Sequence, residues 1–311
     1  MAAILEPVGL VTSLTEVADR QSLWSQTANA LKVNLEISRW ATLLLSILGA
    51  LLATVAGQLD APQPRLYVAL AGAVVFAVMS FFFARLLNGA NVVNWVRARA
   101  ASEALKRTAF EYAAGASPFN ELDTRDARLN EERNRIEQDV DDLAAFQVTG
   151  HKLGSSPRAN LTRGQYVRKR VRQQIDVYYL PKAKAHRRVA SALRSIEFLL
   201  SLLATIIAAV VGILGKEVLG FKFDFVAMTS VLTTVAGAVL AHIEAARYDF
   251  LVATYRTTAR RLANELAEVD DVDAMTIEGW SAFVNRCEAI ICEENSSWMS
   301  KWSKFSWSDV D

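Results

Sequence analysis

WATLLLSILGALLATVAGQL, Trp40 to Leu59, is twenty residues without a charge. At about 1.5 Å per helical residue this stretch reaches about 30 Å, the thickness of a hydrocarbon core. Leu43, Leu44, Leu45, Ile47, Leu48, Leu51, Leu52 and Val55 cover every side of such a helix, whereas a core helix of a soluble protein keeps a polar stripe. At roughly 0.3 to 0.6 kcal/mol per residue near the bilayer centre, these eight favour insertion by about 2 to 5 kcal/mol. Three further charge-free stretches follow: Leu66 to Ala84, Phe198 to Gly215 and Phe225 to Ile243. The sequence therefore predicts an all-α integral membrane protein of two tandem transmembrane hairpins, four spans in all, with long helices extending into a cytoplasmic helical bundle. Average composition, 52% apolar over 311 residues, would fit a soluble domain equally well, so the distribution alone carries the reading.

Working outward, the turns Asp60 to Arg65 and Lys216 to Asp224 hold one and two basic residues. The opposite flanks carry many, among them Arg39, Arg85, Arg97, Arg99, Lys182, Lys184, Arg187, Arg188, Arg247 and Arg256. The positive-inside rule then puts both termini and the long middle segment in the cytoplasm of a multi-pass inner-membrane protein. The N-terminal segment lacks a signal-peptide pattern and predicts no processing.

The two hairpins are copies. At an offset of 155, Ala28, Arg39, Ser46, Ala53 and Gly57 meet Ala183, Arg194, Ser201, Ala208 and Gly212. After the second span of each pair the offset drifts to 157, where Arg99 and Leu105 meet Arg256 and Leu262. The chain divides into a first repeat over 1–118 (spans about 40–59 and 66–84), a charged helix and linker over 119–157, and a second repeat over 158–311 (spans about 198–215 and 225–243). Two copies of two spans each imply a pseudo-two-fold axis along the membrane normal. One continuous helix is predicted from Leu66 to about Ala113, stopped by Ala114-Gly115-Ala116-Ser117-Pro118. The fourth span is expected to run on to about Ala267. A helix over 162 to 195 is expected to bend or break at Pro181. Further helices are expected near 12 to 38, 120 to 146 and 276 to 298.

Small residues at four-residue spacing, Gly49, Ala53 and Gly57 with Ala204, Ala208 and Gly212, are the expected helix-packing positions, because they let backbones approach in lipid. On the fourth span Ser230, Thr234 and Gly237 form a weakly polar stripe; it lines a pore once copies assemble, or its hydroxyls bond back to their own helix. No span contains a charge, which argues against a proton pump or ion-coupled carrier. His242 beside Glu244 at the membrane border is the nearest approach to a transport site. Phosphate loops, nucleophile elbows and metal-ligand spacings are missing, and Cys287 and Cys292 match no metal or redox pair. We expect no enzyme activity, no cofactor and no metal. Arg158 to Arg194 holds eleven basic residues and one acid, facing acidic stretches at 119–142 and 265–295; this predicts helix docking and contact with anionic lipid and argues against nucleic acid. The aromatic end, with Trp298, Trp302, Phe305 and Trp307, rests on the membrane interface or packs on the bundle.

Tyr166-x-x-x-Arg170-x-x-x-Gln174-x-x-x-Tyr178-Tyr179-x-x-Lys182-Ala183 ahead of a span, with Cys287-Glu288 and Glu293-Glu294-Asn295-x-x-Trp298 near the end, resembles the bacterial SLATT family of two-span effector domains. The first repeat, with Trp24 and Ala28 in the Tyr179 and Ala183 places and Arg99-x-x-x-Glu103-x-Leu105 after its second span, looks like the related duplicated form. The resemblance implies a bacterial inner-membrane effector that oligomerises and forms or gates a pore in a nucleotide-signalled defence system. Its implied partners are the bilayer, further copies of itself, and a nucleotide-sensing or other cytoplasmic protein. A non-conducting scaffold that recruits partners through its cytoplasmic helices is the alternative. Because Arg170, Gln174, Tyr178 and Lys182 recur every four residues, they are expected on one face. That face is expected to dock on the C-terminal helix, with Arg170 pairing with Glu288, Glu293 or Glu294 and Trp298 covering the contact.

Overall fold

The structure, a computed structural model, describes residues 12–86, 89–148, 154–215 and 224–303, with side chains described up to Glu294 and not at 85 and 86. The described residues are helical, with no strand among them. Helix α1 is Ser13–Gln58, α2 Pro62–Phe81, α3 Gly89–Ala113, α4 Arg125–Gln138, α5 Arg163–Tyr166, α6 Leu180–Leu214, α7 Phe225–Ala246, α8 Tyr248–Ala267 and α9 Ile277–Ser303. Among the described residues, four helices are long and apolar enough to cross a membrane, within Ser13–Gln58, Pro62–Ala84, Arg163–Leu214 and Phe225–Ala267.

Local chemistry sets the ends. Thr12 accepts from Thr15 N at the start of α1, and Pro62 opens α2, where its missing N–H costs no helical bond. Helix α3 closes in a Schellman motif: Gly115, at φ 64°, donates to Tyr112 O, and Ala116 donates to Glu111 O. Thr162 and Gln165 form a reciprocal capping box on α5. Asp224 Oδ1 caps α7 by accepting from Val226 N and Ala227 N.

One expected continuity and one expected break are corrected, and one long helix is irregular. The helix from Leu66 toward Ala113 passes into a π-turn at Phe82–Leu86, after which α3 begins at Gly89. The fourth span ends at Arg247, whose left-handed conformation (φ 52°) turns its N–H back to Ile243 O and Glu244 O; α8 starts at the next residue. Pro181 does not break its helix. Two π-segments, Val167–Arg172 and Gln174–Tyr179, lead into α6, which carries Pro181 in its first turn. Pro at the start of a regular helical segment removes no required bond, and the widened π ladder just ahead takes up the irregularity.

The chain forms two compact units, and each repeat contributes to both. The apolar unit comprises, among the described residues, 33–86, 182–215 and 224–253. Leu43, Ala190, Val239, Ile243 and Tyr248 are buried together there. Gly72 approaches Leu52 and the backbone of Ala53, so α1 and α2 pack closely at that level. Gln58 and Asp224 exchange side-chain to backbone hydrogen bonds of 3.3 and 3.2 Å. Outside these contacts the spans are bare: Leu44, Leu48, Leu51, Leu70, Val74, Leu199, Leu203 and Ile206 are all exposed. That is the surface of a protein whose solvent is hydrocarbon.

The polar unit comprises, among the described residues, 12–32, 89–148, 154–181 and 254–303. Trp24, Leu105, Phe119, Leu129, Tyr166, Tyr179, Leu262 and Phe283 are among its fully buried side chains. Trp24 and Tyr179, Ala28 and Ala183, and Leu105 and Leu262 hold matching places in the repeat, and all six are buried.

Candidate functional site: a buried ion pair and the cavity beside it

Helix α9 buries one stripe: Trp280, Phe283, Val284, Cys287, Glu288, Ile291 and Glu294. The spacing is that of an ordinary amphipathic helix, except that two of its buried positions are carboxylates. A buried charge needs a partner. Arg170 provides it to Glu288 with two parallel hydrogen bonds, Nε to Oε1 at 2.9 Å and Nη2 to Oε2 at 2.7 Å. The two side chains are 1% and 0% exposed. Tyr166 Oη donates to the same Oε1 at 3.0 Å. The Arg170 guanidinium lies 4.6 Å from the centroid of the Phe110 ring, and Tyr166 sits edge-on to both Phe110 and Trp280. Burial works against the Arg170 charge, but Glu288 outweighs it and raises the guanidinium pKa. Burial and the Glu288 charge together hold the Tyr166 hydroxyl well above its ordinary value.

The start of α9 is fixed to the end of α3. Trp280 Nε1 donates to Ala114 O at 2.9 Å, and Ser117 N donates to Ser281 Oγ at 3.0 Å. Arg163 donates to the carbonyls of Val272, Asp273 and Met275. A second polar layer follows along the helices. Arg99 Nη2 donates to Tyr178 Oη at 3.2 Å, and Tyr178 and Tyr179 both pack against Tyr255. Glu294 is buried, and that burial pushes its pKa up to about 7 despite the pull of Arg99. Glu111, bonded to Arg107 at 2.7 Å, is likewise pushed up to about 7 by burial. Burial also raises the Cys287 thiol well above its ordinary value, so this sulfur behaves as a packing group.

Of the expected signature face, the structure brings Arg170 and Tyr179 inside, leaves Gln174 and Tyr178 half-buried, and exposes Lys182. The buried row is Tyr166, Arg170, Ile175, Tyr179 and Ala183. One face of Arg170, Gln174, Tyr178 and Lys182 is therefore corrected: the π-segments insert extra residues into the turn and rotate the later positions of the motif sideways. Glu293 pairs with Arg261. The Trp298 side chain lies outside the described residues, as do Trp302, Phe305, Trp307 and His151.

The packing positions divide. A Cβ on Gly49 would lie 2.8 Å from the Phe76 ring, and Ala204 is buried. Ala53 and Ala208 are exposed, and nothing lies within 4 Å of a Cβ on Gly57 or Gly212. Ser230, Thr234 and Gly237 are exposed along α7, where Ser230 Oγ donates to Val226 O at 3.4 Å and Thr234 Oγ1 donates to Ser230 O at 2.8 Å. His242 is buried with its ring 4.4 Å from that of Trp40, and Tyr248 Oη lies 3.5 Å from its Nε2; Glu244 is exposed. Sequence reasoning missed Trp280, Phe110 and Glu111. Trp280 was findable, since it stands four and eight positions before Val284 and Glu288 on the same stripe.

Fold and composition together define a multi-pass, all-helical membrane protein. Residues 166–298, most of the second repeat, match the family described as SMODS and SLOG-associating 2TM effector domain 1, SLATT family 1. Residues 21–127, the first repeat, match a separate family described as a protein of unknown function, DUF4231. No curated protein and no solved structure matches the chain.

Proposed function

We propose that the protein is a bacterial inner-membrane effector that self-assembles and opens a path through the bilayer when its helical cytoplasmic unit receives a signal. The observation that carries this reading is the α7 stripe: Ser230, Thr234 and Gly237 are exposed along one side of the helix, and nothing lies within 4 Å of a Cβ on Gly237. Four spans with one weakly polar stripe enclose no water path alone, but several copies arranged about an axis would. The name of the matched family, an effector domain associated with SMODS and SLOG, supports a defence role and a nucleotide-sensing partner. Purified full-length protein in liposomes should release a small entrapped dye, and Thr234→Cys should crosslink between copies. Loss of the crosslinks together with tight liposomes would remove the pore.

The alternative, a non-conducting scaffold without enzyme activity, draws on one specific observation. The Ser230 and Thr234 hydroxyls already donate to carbonyls of their own helix, which leaves them little call for water. Tight liposomes with intact Thr234→Cys crosslinks would favour it.

A further inference from the structure

The polar unit contains a cavity of about 610 Å³ between α3, α4 and α9. Its size lies within the usual range of small-molecule sites, about 300 to 1,000 Å³. Ala100 and Ala104 on α3 create the space; Pro118, Phe119 and Ile291 give it apolar walls. Arg170 and Glu288, at 1% and 0% exposure its most deeply buried charged side chains, also line it. Two of the three Arg170 nitrogens, Nε and Nη2, donate to Glu288; the third, Nη1, is buried and has no hydrogen-bond partner among the described residues. The Phe110 ring beneath the guanidinium balances charge but offers no lone pair. A buried N–H of a cation without an acceptor is costly, and an acceptor arriving through the cavity would relieve it.

The walls decide the class of ligand. They carry Arg107, Arg128, Arg135 and Arg170 against Glu103, Glu111, Glu131, Glu132 and Glu288, four guanidinium groups facing five carboxyl groups. Arg107 already pairs with Glu111, Arg135 with Glu132 and Arg170 with Glu288, so a polyanion or a simple cation would have to break these pairs, whereas a molecule with one charge of each sign is matched at both ends. Glu131 is exposed, and among the described residues it makes no ion pair. We propose that this cavity binds a small zwitterion of the amino-carboxylate class, its carboxylate directed to Arg170, its body on Phe119 and Ile291, and its ammonium on Glu131. The inference concerns binding to the polar unit alone and stands whether or not the protein conducts.

The test is calorimetry on the full-length protein in detergent, with the common amino acids as probes, their N-acetyl and amide derivatives, and inorganic phosphate. Saturable heat from at least one amino acid is expected. The affinity should fall at least about tenfold when either charge of that probe is blocked. It should fall equally with Ala104→Leu, which fills the cavity, and with Glu131→Gln, an exposed change that leaves the fold intact. The proposal is overturned if no amino acid gives saturable heat, if binding is unchanged in both variants, or if inorganic phosphate competes as strongly as the zwitterion.

Discussion

Arg170 and Glu288 show how a single pair can hold a unit together while contributing little net stability. Removing two charges from water offsets most of their attraction, but removing only one partner leaves a bare buried charge. Arg170→Leu should therefore destabilise the protein by about 3 to 5 kcal/mol, and adding Glu288→Leu should recover much of that loss. Denaturant unfolding in detergent measures both, and a double variant no better than the single would refute the coupling. Glu111 and Glu294 titrate in the opposite sense from carboxylates whose ion pairs dominate, because burial outweighs the pull of Arg107 and Arg99. With folded pKa values raised to about 7, the folded state holds protons that an unfolded chain has already released above about pH 4.5. Stability should accordingly fall as pH rises from 5 to 7 and level off above it. Glu111→Gln with Glu294→Gln should flatten that decline in a thermal-unfolding series, and a profile of unchanged slope would show that neither carboxyl is protonated on folding.

Among the elements, the glycines of the spans part company. Gly49→Leu forces a side chain into the Phe76 ring and should lower the unfolding temperature, since overpacking costs about 1 to 3 kcal/mol. Gly57→Leu and Gly212→Leu meet open space within the chain, so the unfolding temperature should hardly change. If those glycines face a second copy, the same two variants should reduce crosslinked oligomer in membranes. Equal thermal losses at all three positions would contradict the packing described for α1 and α2. The four-residue spacing by itself marked all six small residues alike; which of them a neighbour approaches depends on how α1 and α2 cross, as at Gly72 against Leu52. The π-segments before α6 are a similar case. Their effect on Gln174 and Lys182 follows from a change in helical pitch that residue identities alone do not announce.

For the whole molecule the predicted topology is directly testable. A single cysteine at Ala61 should react with an impermeant reagent added to intact cells, and one at Asn130 should react only after lysis. Labelling at position 130 in intact cells would reverse the orientation. In the structure the two repeats do not form two separate bodies: residues of both enter the polar unit, and residues of both enter the apolar unit.

The sequence by itself determined the four spans, their hairpin pairing and the helical class, because a run of about twenty uncharged residues has one favourable solvent and one favourable backbone geometry there. It also placed the Schellman stop at Gly115, whose local backbone needs no tertiary help. Tertiary structure alone decided which of Glu288, Glu293 and Glu294 receives Arg170, since the three carboxylates are chemically alike and differ only in the side of α9 they occupy relative to α3. It alone decided the left-handed break at Arg247 and the cavity between α3, α4 and α9. A cavity is a property of how three helix faces fail to meet, and no residue in the sequence records that by itself.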